Sequence, residues 1–362
     1  MRASTPTART KAVMHQGQSL GFEMSYSDGY AAFAASMRAS GLSGWTRPTQ
    51  FADPTTGFIA TSGASMLERY VSPELPTRYW RTAAGGPGPL MTTFSASIAA
   101  WNAVSSPANP AISIIDWDQG QQDVAAQSTT LTVTDGNDFR DATLATLLAL
   151  RTAANPGSPG SVYTVIRPLG KQYNPTTGIS AARPNANIIR DAQLQVRNSL
   201  PAGFVRAVET WDLTLRDGTH PNQTGYRNVG YRVAMALQDM LGVAVDMGPS
   251  ISSVTRSGKN ISITISAGSG KTLVKPTSPC GFGFYVGASR VIPTSWSWSG
   301  NVLTASFATA PIGATVRFLD QYVLDWSPTS VIRYAETPTL NTAGMEGLLG
   351  EPLLCVLPFT VT

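Results

Sequence analysis

Two short segments of the chain carry the residue types of a nucleophilic hydrolase. Ser19 follows an apolar run near the start of the chain, in Gly17-Gln18-Ser19. About 200 residues later comes Asp217-Gly218-Thr219-His220-Pro221, and His220 is one of only two histidines. A serine hydroxyl needs a base to accept its proton and a third group to orient that base. We therefore predict Ser19 as nucleophile, His220 as general base and Asp217 as its partner.

This chemistry also needs hydrogen-bond donors for the negative charge that develops on the carbonyl oxygen. The backbone N–H of Ser19, a glycine N–H at the end of the second strand and a side-chain amide would suffice. Gln119 follows the apolar run 111–115 and is the candidate amide. The alternative for Gln119 is a core amide satisfied by the backbone. His15, beside the first strand, is interpreted as structural.

The segments that must position these residues alternate between strands and helices. Strands are predicted at 12–14, 77–83, 111–115, 161–166 and 204–208, and helices at 31–38, 94–104, 138–151, 186–199 and 226–241. Asp138 is the expected N-cap of the third helix, and residues 41–76 are expected to form loops. The alternation predicts an α/β domain over 11–245, with a parallel sheet whose carboxyl ends carry the active groups.

Residues 248–362 show a different pattern. Apolar residues recur at every second position, as in Ile261, Ile263 and Ile265, and turn signals separate the runs. This pattern predicts an all-β sandwich. Three tryptophans of this region, Trp296, Trp298 and Trp326, fill its core or bind carbohydrate. Cys280 and Cys355 form either a disulfide or two reduced core thiols.

Composition excludes several classes of function. The net charge is only +4 and basic residues do not cluster, which argues against nucleic-acid binding. An apolar stretch of about 18 residues is lacking, so we expect no membrane span. The first 11 residues have no apolar segment of a secretory signal. Metal-ligand spacing is absent as well, and we expect neither metal nor cofactor.

Three motifs taken together resemble the conserved blocks of SGNH/GDSL hydrolases. They are Gly17-Gln18-Ser19, Trp117-Asp118-Gln119-Gly120 and Asp217-x-x-His220-Pro221. The most similar branch is that of the sialate O-acetylesterase-like carbohydrate esterases, which carry Gly-Gln-Ser and Trp-x-Gln-Gly-Glu-x-Asp. Gln121 stands where that branch has glutamate, and Leu20 where it has asparagine. The resemblance covers about residues 11–242 and implies an SGNH-type three-layer αβα fold.

The resemblance also implies an activity. A member of this branch would remove O-acetyl groups from polysaccharide through an acetyl-serine intermediate, with Ser19, Asp217 and His220 as catalytic residues. Its oxyanion hole would combine the N–H groups of Ser19 and Gly86 with the amide of Gln119. For the glycine, Gly85 lies next to Gly86 and Gly63 is the alternative.

The end of the chain carries a second, looser resemblance. Val316-Arg317-Phe318, Ile332-Arg333-Tyr334-Ala335 and Leu357-Pro358-Phe359 are similar to C-terminal β-domains of phage proteins. This implies a virion tail location with other tail proteins as partners, or release without a signal peptide; a non-viral protein would be cytoplasmic. It also leaves open a non-catalytic role in glycan binding or tail structure. A third alternative is an esterase for small lipidic esters.

Overall fold

The computed structural model describes most of both regions. It covers residues 11–17, 28–42, 45–46, 64–103, 112–125, 131–170, 185–213, 215–216, 220–279, 281–318, 331–336, 352, 354 and 359–361. Along 11–17, 45–46 and 359–360, and at residue 125, only the backbone is described. Several residues discussed above lie outside the described residues, namely Ser19, Leu20, Gly63, Asp217, Cys280, Trp326 and Cys355.

The first region is built around a five-stranded parallel sheet. The strands of this region are β1 (Lys11–Gly17), β2 (Trp45–Thr46), β3 (Ser65–Leu67), β4 (Tyr79–Arg81), β5 (Ile112–Asp118), β6 (Tyr163–Ile166) and β7 (Val205–Ala207), and all but β3 and β4 belong to the sheet. The order in the sheet is β2-β1-β5-β6-β7, and each neighbouring pair is parallel. The predicted parallel sheet is confirmed.

Two details of the strand prediction were wrong. The predicted strand 77–83 is β4, but it pairs with β3 in a separate parallel pair and does not join the sheet. Residues 41–76, expected to be loops, contribute β2 and β3. These two strands are two and three residues long, which is too short for a periodic pattern to be recognised.

Helices cover both faces of the sheet. They are α1 (Asp28–Ala39), α2 (Pro89–Ala103), α3 (Gln121–Ala125), α4 (Val133–Ala154), α5 (Asn185–Ser199) and α6 (Gln223–Met240). Because successive strand residues point to opposite faces, Ile114 and Val165 are buried with α1 and α6. Ile115 and Ile166 are buried with α2, α4 and α5 on the other face. This is the three-layer αβα arrangement that was predicted.

The order of strands reverses at β1. From β1 the chain adds β2 on one side, whereas β5, β6 and β7 follow on the other. In open α/β sheets, ligands bind outside the carboxyl ends of the strands at such a reversal. The carboxyl edge, meaning here the ends of β1 at Gly17 and of β5 at Asp118, is therefore where the fold favours a site.

The second region is a β-sandwich, as predicted. Its strands are β8 (Ser250–Ser257), β9 (Asn260–Ser266), β10 (Leu273–Val274), β11 (Phe282–Val286), β12 (Ser289–Val291), β13 (Ser295–Ser299), β14 (Val302–Ser306), β15 (Thr315–Phe318), β16 (Arg333–Tyr334) and β17 (Phe359–Thr360). Two antiparallel sheets have the orders β12-β11-β15-β17 and β13-β14-β9-β8, and β10 pairs with β16.

The interior of the sandwich follows the alternation seen in the sequence. Ile261, Ile263 and Ile265 point from β9 into the same buried cluster as Phe282 and Phe284 of β11. In contrast, the intervening positions of β9 are partly or fully exposed. Trp296 and Trp298 pack against this cluster from the edge strand β13. For these two tryptophans, the structure favours core packing over a carbohydrate platform.

The start of α4 corrects a further prediction. Asp138 is not the N-cap, because the helix begins at Val133 and its N-cap is Thr132. Thr132 and Asp135 form a capping box, in which each side chain accepts the backbone N–H of the other residue. Asp138 lies in the second turn and pairs with Arg69 at 2.7 Å.

Within the described ranges, no helix combines the length and apolar character needed to cross a membrane.

Candidate active site at the carboxyl edge

The ends of β1 and β5 lie side by side. Gly17, the last residue of β1, is the register partner of Asp118, the last residue of β5. Ser19 lies outside the described residues, but it follows Gly17 by two residues. Gln119 directly follows Asp118, so this predicted position belongs to the carboxyl edge, and Ser19 comes two residues after a strand that ends at the same edge.

His220 lies immediately before α6. Asn222 caps this helix by accepting the N–H of Gly225 at 2.8 Å, so the helix starts three residues after His220. The backbone of His220 is held by the N–H of Arg216, which donates to its carbonyl at 2.8 Å. A bridge between Leu215 and Pro221 closes the same loop. Asp217, inside this loop, lies outside the described residues.

The helices that follow the two predicted catalytic segments are tied together at their N-termini. Asp28, the first residue of α1, accepts hydrogen bonds from Gln223 at 2.9 Å and from Arg227 at 2.7 Å, both in α6. The helices approach so closely that a Cβ on Gly230 would lie 1.8 Å from the carbonyl oxygen of Gly29. Only glycine allows this packing. The helix that follows Ser19 in the chain and the helix that follows His220 therefore begin next to each other.

His220 also interacts with the carboxyl edge through Asp118. Burial raises the pKa of Asp118 above its usual range, whereas Arg167, a hydrogen bond from Gln121 and the nearby His220 act to lower it. The half-buried His220 therefore lies within electrostatic range of the end of β5. The structure brings His220 to the same edge as Gly17, the strand end that precedes Ser19.

A buried cluster of charges underlies this contact. Arg167, 1% exposed, bridges Asp116 at 3.0 Å and Asp118 at 2.9 Å. Although burial alone would lower the pKa of Arg167, the two carboxylates raise it, so the guanidinium stays charged. Sequence reasoning missed Asp118 and Arg167. The available signal was a charged residue at the end of each of two buried strands, where apolar residues would otherwise be expected.

Gln119 occurs in a different setting from the one an oxyanion donor needs. The side chain is fully buried, and its Nε2 donates to the carbonyl of Ala64 at 2.9 Å and to Asp123 at 3.0 Å. Its Oε1 accepts the indole N–H of Trp80 at 3.2 Å. Both amide hydrogens are thus donated to protein acceptors. This geometry favours the alternative reading of Gln119 as a satisfied core amide.

The next residues of the same motif have structural roles. Gly120 has a φ of 138°, and a Cβ there would lie 2.8 Å from Ile189, so glycine is required. Gln121 stands where the carbohydrate esterase branch that the motifs resemble has glutamate, and its side-chain amide donates a hydrogen bond to Asp118. Burial raises the pKa of Asp123 to about 7, even though Gln119 and the N–H of Met66 donate to it.

Gly86 belongs to a tight turn after β4. Its N–H donates to Thr82 Oγ1 at 2.9 Å, and its carbonyl accepts the N–H of Thr82 at 2.9 Å. The turn borders a cavity of about 360 Å³ next to α4. The residues around this cavity are Leu67, Arg69, Thr82, Ala83, Ala84, Gly85, Asp138, Asp141, Ala142 and Ala145. The N–H of Gly86 is therefore engaged within its own turn.

The alternative glycine, Gly63, lies outside the described residues, but its neighbour does not. Ala64 is fully buried and its carbonyl accepts the amide of Gln119, which follows β5 directly. Residue 63 is therefore adjacent in the chain to a point anchored at the carboxyl edge.

As to metals, no group of three or more His, Cys, Asp or Glu side chains suited to hold an ion occurs among the residues that the structure describes.

Comparison with known proteins gives a shared fold. No family model matches the chain, and no curated sequence matches it. The chain is similar in structure to XAC1771, described as a novel carbohydrate acetylesterase from Xanthomonas citri, with a TM-score of 0.55 and 16% identity. This match covers 92% of this chain and 64% of XAC1771, so it includes both regions.

Two further structures match with lower scores. Est24, a carbohydrate acetylesterase from Sinorhizobium meliloti, gives a TM-score of 0.39 at 12% identity, over 64% of this chain and 99% of its own. The M. smegmatis aryl esterase gives 0.40 at 10% identity, with the same two coverages of 64% and 99%. At 16% identity, the similarity to XAC1771 shows a shared fold and nothing finer. The protein has an SGNH-like hydrolase fold followed by an additional β-domain.

Proposed function

We propose that the protein is a serine esterase that removes O-acetyl groups from carbohydrate, with Ser19 as nucleophile, His220 as base and Asp217 as its partner. The observation that carries this proposal is the register between Gly17 and Asp118, together with the position of His220 within electrostatic range of Asp118. The bonds from Gln223 and Arg227 of α6 to Asp28 of α1 add to it, because these helices follow the segments of His220 and Ser19.

In the proposed reaction, Ser19 Oγ attacks the acetyl carbonyl carbon while His220 accepts the hydroxyl proton. The tetrahedral intermediate collapses to acetyl-serine, and the sugar oxygen leaves with the proton from His220. Water then loses a proton to His220 and attacks the acetyl-serine, which releases acetate and restores Ser19. Asp217 would hold the imidazole in the productive tautomer. Neither a metal nor a cofactor takes part in these steps.

For the oxyanion, we propose the N–H groups of Ser19 and Gly63. The engaged hydrogens of Gln119 and the engaged N–H of Gly86 argue for this revision of the donor set. Gln119 would then act by holding Ala64, and with it Gly63, against the end of β5. A Gly63→Pro variant, which removes the N–H, should lose activity, while Gly86→Ala should retain most of it.

A carbohydrate substrate is the finer part of the proposal. It is supported by the description of XAC1771 as a carbohydrate acetylesterase and by the resemblance of the motifs to the sialate O-acetylesterase-like branch.

We further propose that residues 11–245 form the esterase domain and 248–362 the accessory β-domain. A phage virion tail as the location rests on the similarity of the C-terminal segments alone. A list of neighbouring genes would test it, because tail genes on both sides are expected.

Acetate release tests the esterase directly. The purified chain should release acetate from an O-acetylated polysaccharide and from an aryl acetate, and Ser19→Ala should abolish both activities. His15→Gln serves as the matched histidine control for His220→Ala. Retention of full activity in Ser19→Ala or His220→Ala would overturn the proposal.

A second candidate function is a non-catalytic glycan-binding module. The observations that favour it are the Gln119 amide, whose hydrogens are both engaged, and Gln121 in the place of a family glutamate. Binding of the acetylated polysaccharide by the wild-type chain, with no acetate released over many hours, would support this function and exclude the first.

A further inference from the structure

The β-sandwich contacts the α/β domain through an aromatic pair. Trp211, 5% exposed, meets the ring of Phe318 edge-on, with ring centroids 5.6 Å apart and an interplanar angle of 86°. Phe318 in turn packs on Phe282 at 4.8 Å inside the sandwich. Trp211 and Leu194 belong to the same buried cluster as the sandwich interior. The two domains therefore share one apolar core at this point.

An ion pair lies beside the aromatic contact. Arg317, the residue before Phe318 in β15, donates from Nη1 to both carboxylate oxygens of Asp191 in α5 at 2.7 Å. The side chains are 20% and 21% exposed, so water screens the pair only in part. Two consecutive residues of β15 thus bind two different elements of the α/β domain.

Trp211 is part of the segment that leads to His220. The segment leaves β7 at Ala207, and its Asp212 is bound by both Nη atoms of Arg232 in α6 at 2.6 and 2.8 Å. Arg232 also donates to the carbonyl of Glu209 at 2.9 Å. The neighbouring residue, Trp211, faces the sandwich. Residues 209–213 are consequently held by α6 on one side and by the sandwich on the other.

His220 lies seven positions after Leu213, the last residue of this clamped segment. Between them, the described Arg216 donates its N–H to the carbonyl of His220, and Leu215 forms a bridge with Pro221. These bonds connect the backbone at His220 to the chain that follows residues 209–213. Misplacement of a catalytic group by about 1 Å costs on the order of 100-fold in rate. The contacts of Trp211 are therefore well situated to influence catalysis without touching the substrate.

We infer that the β-sandwich positions His220, with Trp211, Phe318 and Arg317 as positioning residues. This inference rests on the proposed function insofar as it concerns rate. A sandwich that served only as a separate glycan-binding module would leave hydrolysis of a small ester unaffected by changes at this contact. If the sandwich positions His220, changes at this contact should lower the rate of small-ester hydrolysis.

The experiment uses the full chain and paired substitutions. Phe318→Leu alters the contact with Trp211, while Phe284→Leu makes the same change among Phe307 and Trp296 within the sandwich. For hydrolysis of an aryl acetate, Phe318→Leu should lower kcat about 10-fold and leave KM within about 2-fold. Phe284→Leu should leave both within about 2-fold. Equal kcat values for the two variants would overturn the inference.

The ion pair supplies a second test that does not alter a core. Arg317→Asp and Asp191→Arg should each lower kcat, and the double variant, which restores an opposite pair, should recover most of the loss. Failure of the double variant to recover would count against a positioning role for Arg317.

A spectroscopic measurement separates this inference from the proposed function. The chain has two histidines, so the imidazole Cε1–H signals in histidine-labelled protein are assigned with one His15→Gln spectrum. Phe318→Leu should shift the His220 signal, and Phe284→Leu should not. If wild type hydrolyses no ester, the proposed function fails while this shift still supports the inference. An unshifted His220 signal in Phe318→Leu overturns it, whatever the activity.

Discussion

At the carboxyl edge of the parallel sheet, a cluster of buried side chains is polar or charged. The cluster consists of Asp116, Asp118, Gln119, Gln121, Asp123 and Arg167, each at most 8% exposed. In the interior of the β-sandwich, nearly all side chains buried to the same degree are apolar, and isoleucines and phenylalanines are the largest groups among them. Burial of polar groups costs free energy unless each is paired, whereas burial of apolar groups is favourable in itself. The buried polar cluster of the first region therefore contributes less to folding stability than the apolar interior of the second.

This difference indicates where function resides. Charges kept out of water hold their geometry because every deviation leaves a group unpaired. That property suits a site that must position a nucleophile and a base. The sandwich interior holds its residues mainly by apolar packing, and we propose that it contributes to the chemistry through its contact with Trp211.

The largest effect separating the two regions should come from His220→Ala. Removal of the proposed base should lower kcat/KM for an aryl acetate by roughly 10⁴- to 10⁶-fold. His15→Gln, on β1, should stay within about 10-fold of wild type. Steady-state kinetics measure both. A loss of less than about 10-fold in His220→Ala would remove histidine from the mechanism.

Arg167→Leu should affect both stability and activity. Removal of the guanidinium leaves Asp116 and Asp118 buried without their cation, which should cost about 3–5 kcal/mol in the free energy of unfolding. Denaturant titration measures this cost. Arg140, which pairs with the exposed Asp141, provides the control. Its leucine variant should lose less than about 1 kcal/mol, and equal losses in the two variants would contradict a special role for the buried cluster.

Phe284→Ala should affect stability alone. Deletion of this buried ring from the sandwich should cost about 3–5 kcal/mol. The kcat measured at a temperature where the variant is fully folded should match wild type, because Phe284 packs with Phe307 and Trp296 and not with Trp211. A large fall in kcat would show that the interior of the sandwich is coupled to the site more broadly than proposed.

A further effect concerns the pH dependence of stability. The pKa of Asp123 is raised by burial to about 7, so the folded protein binds a proton that the unfolded chain releases near its ordinary pKa. Stability from this proton is complete below about pH 4 and is lost as pH rises through 7. The slope approaches at most about 1.4 kcal/mol per pH unit. Thermal unfolding between pH 5 and 8 should show this slope in wild type and not in Asp123→Asn; an identical slope in both would contradict it.

The two regions also differ in how far their sequence predicts them. Alternation alone identified Ile261, Ile263 and Ile265 as core, because a strand with one buried face has a period of two. At the carboxyl edge, the motifs identified Gln119 but not its partners. Ala64 and Trp80 are 55 and 39 residues away in the chain, and such contacts arise only from the fold.

The errors have similar physical causes. The N-cap of α4 was assigned to Asp138, although Thr132 and Asp135 carry the spacing of a capping box, with aspartate in the usual place of glutamate. Asp118 was treated as a spacer within a motif. Its importance depends on Arg167, which directly follows the next strand of the sheet and lies 49 positions later, and on His220 beyond that.

The central claim is that Ser19, two residues after β1 in the chain, is a nucleophile activated by His220. A fluorophosphonate that reacts with activated serines tests it, with the modified residue located by mass spectrometry. We predict one adduct, on Ser19, in the wild-type chain and none in His220→Ala. An adduct on a different serine, or ester hydrolysis by a chain in which Ser19 stays unmodified at saturating reagent, would contradict the claim.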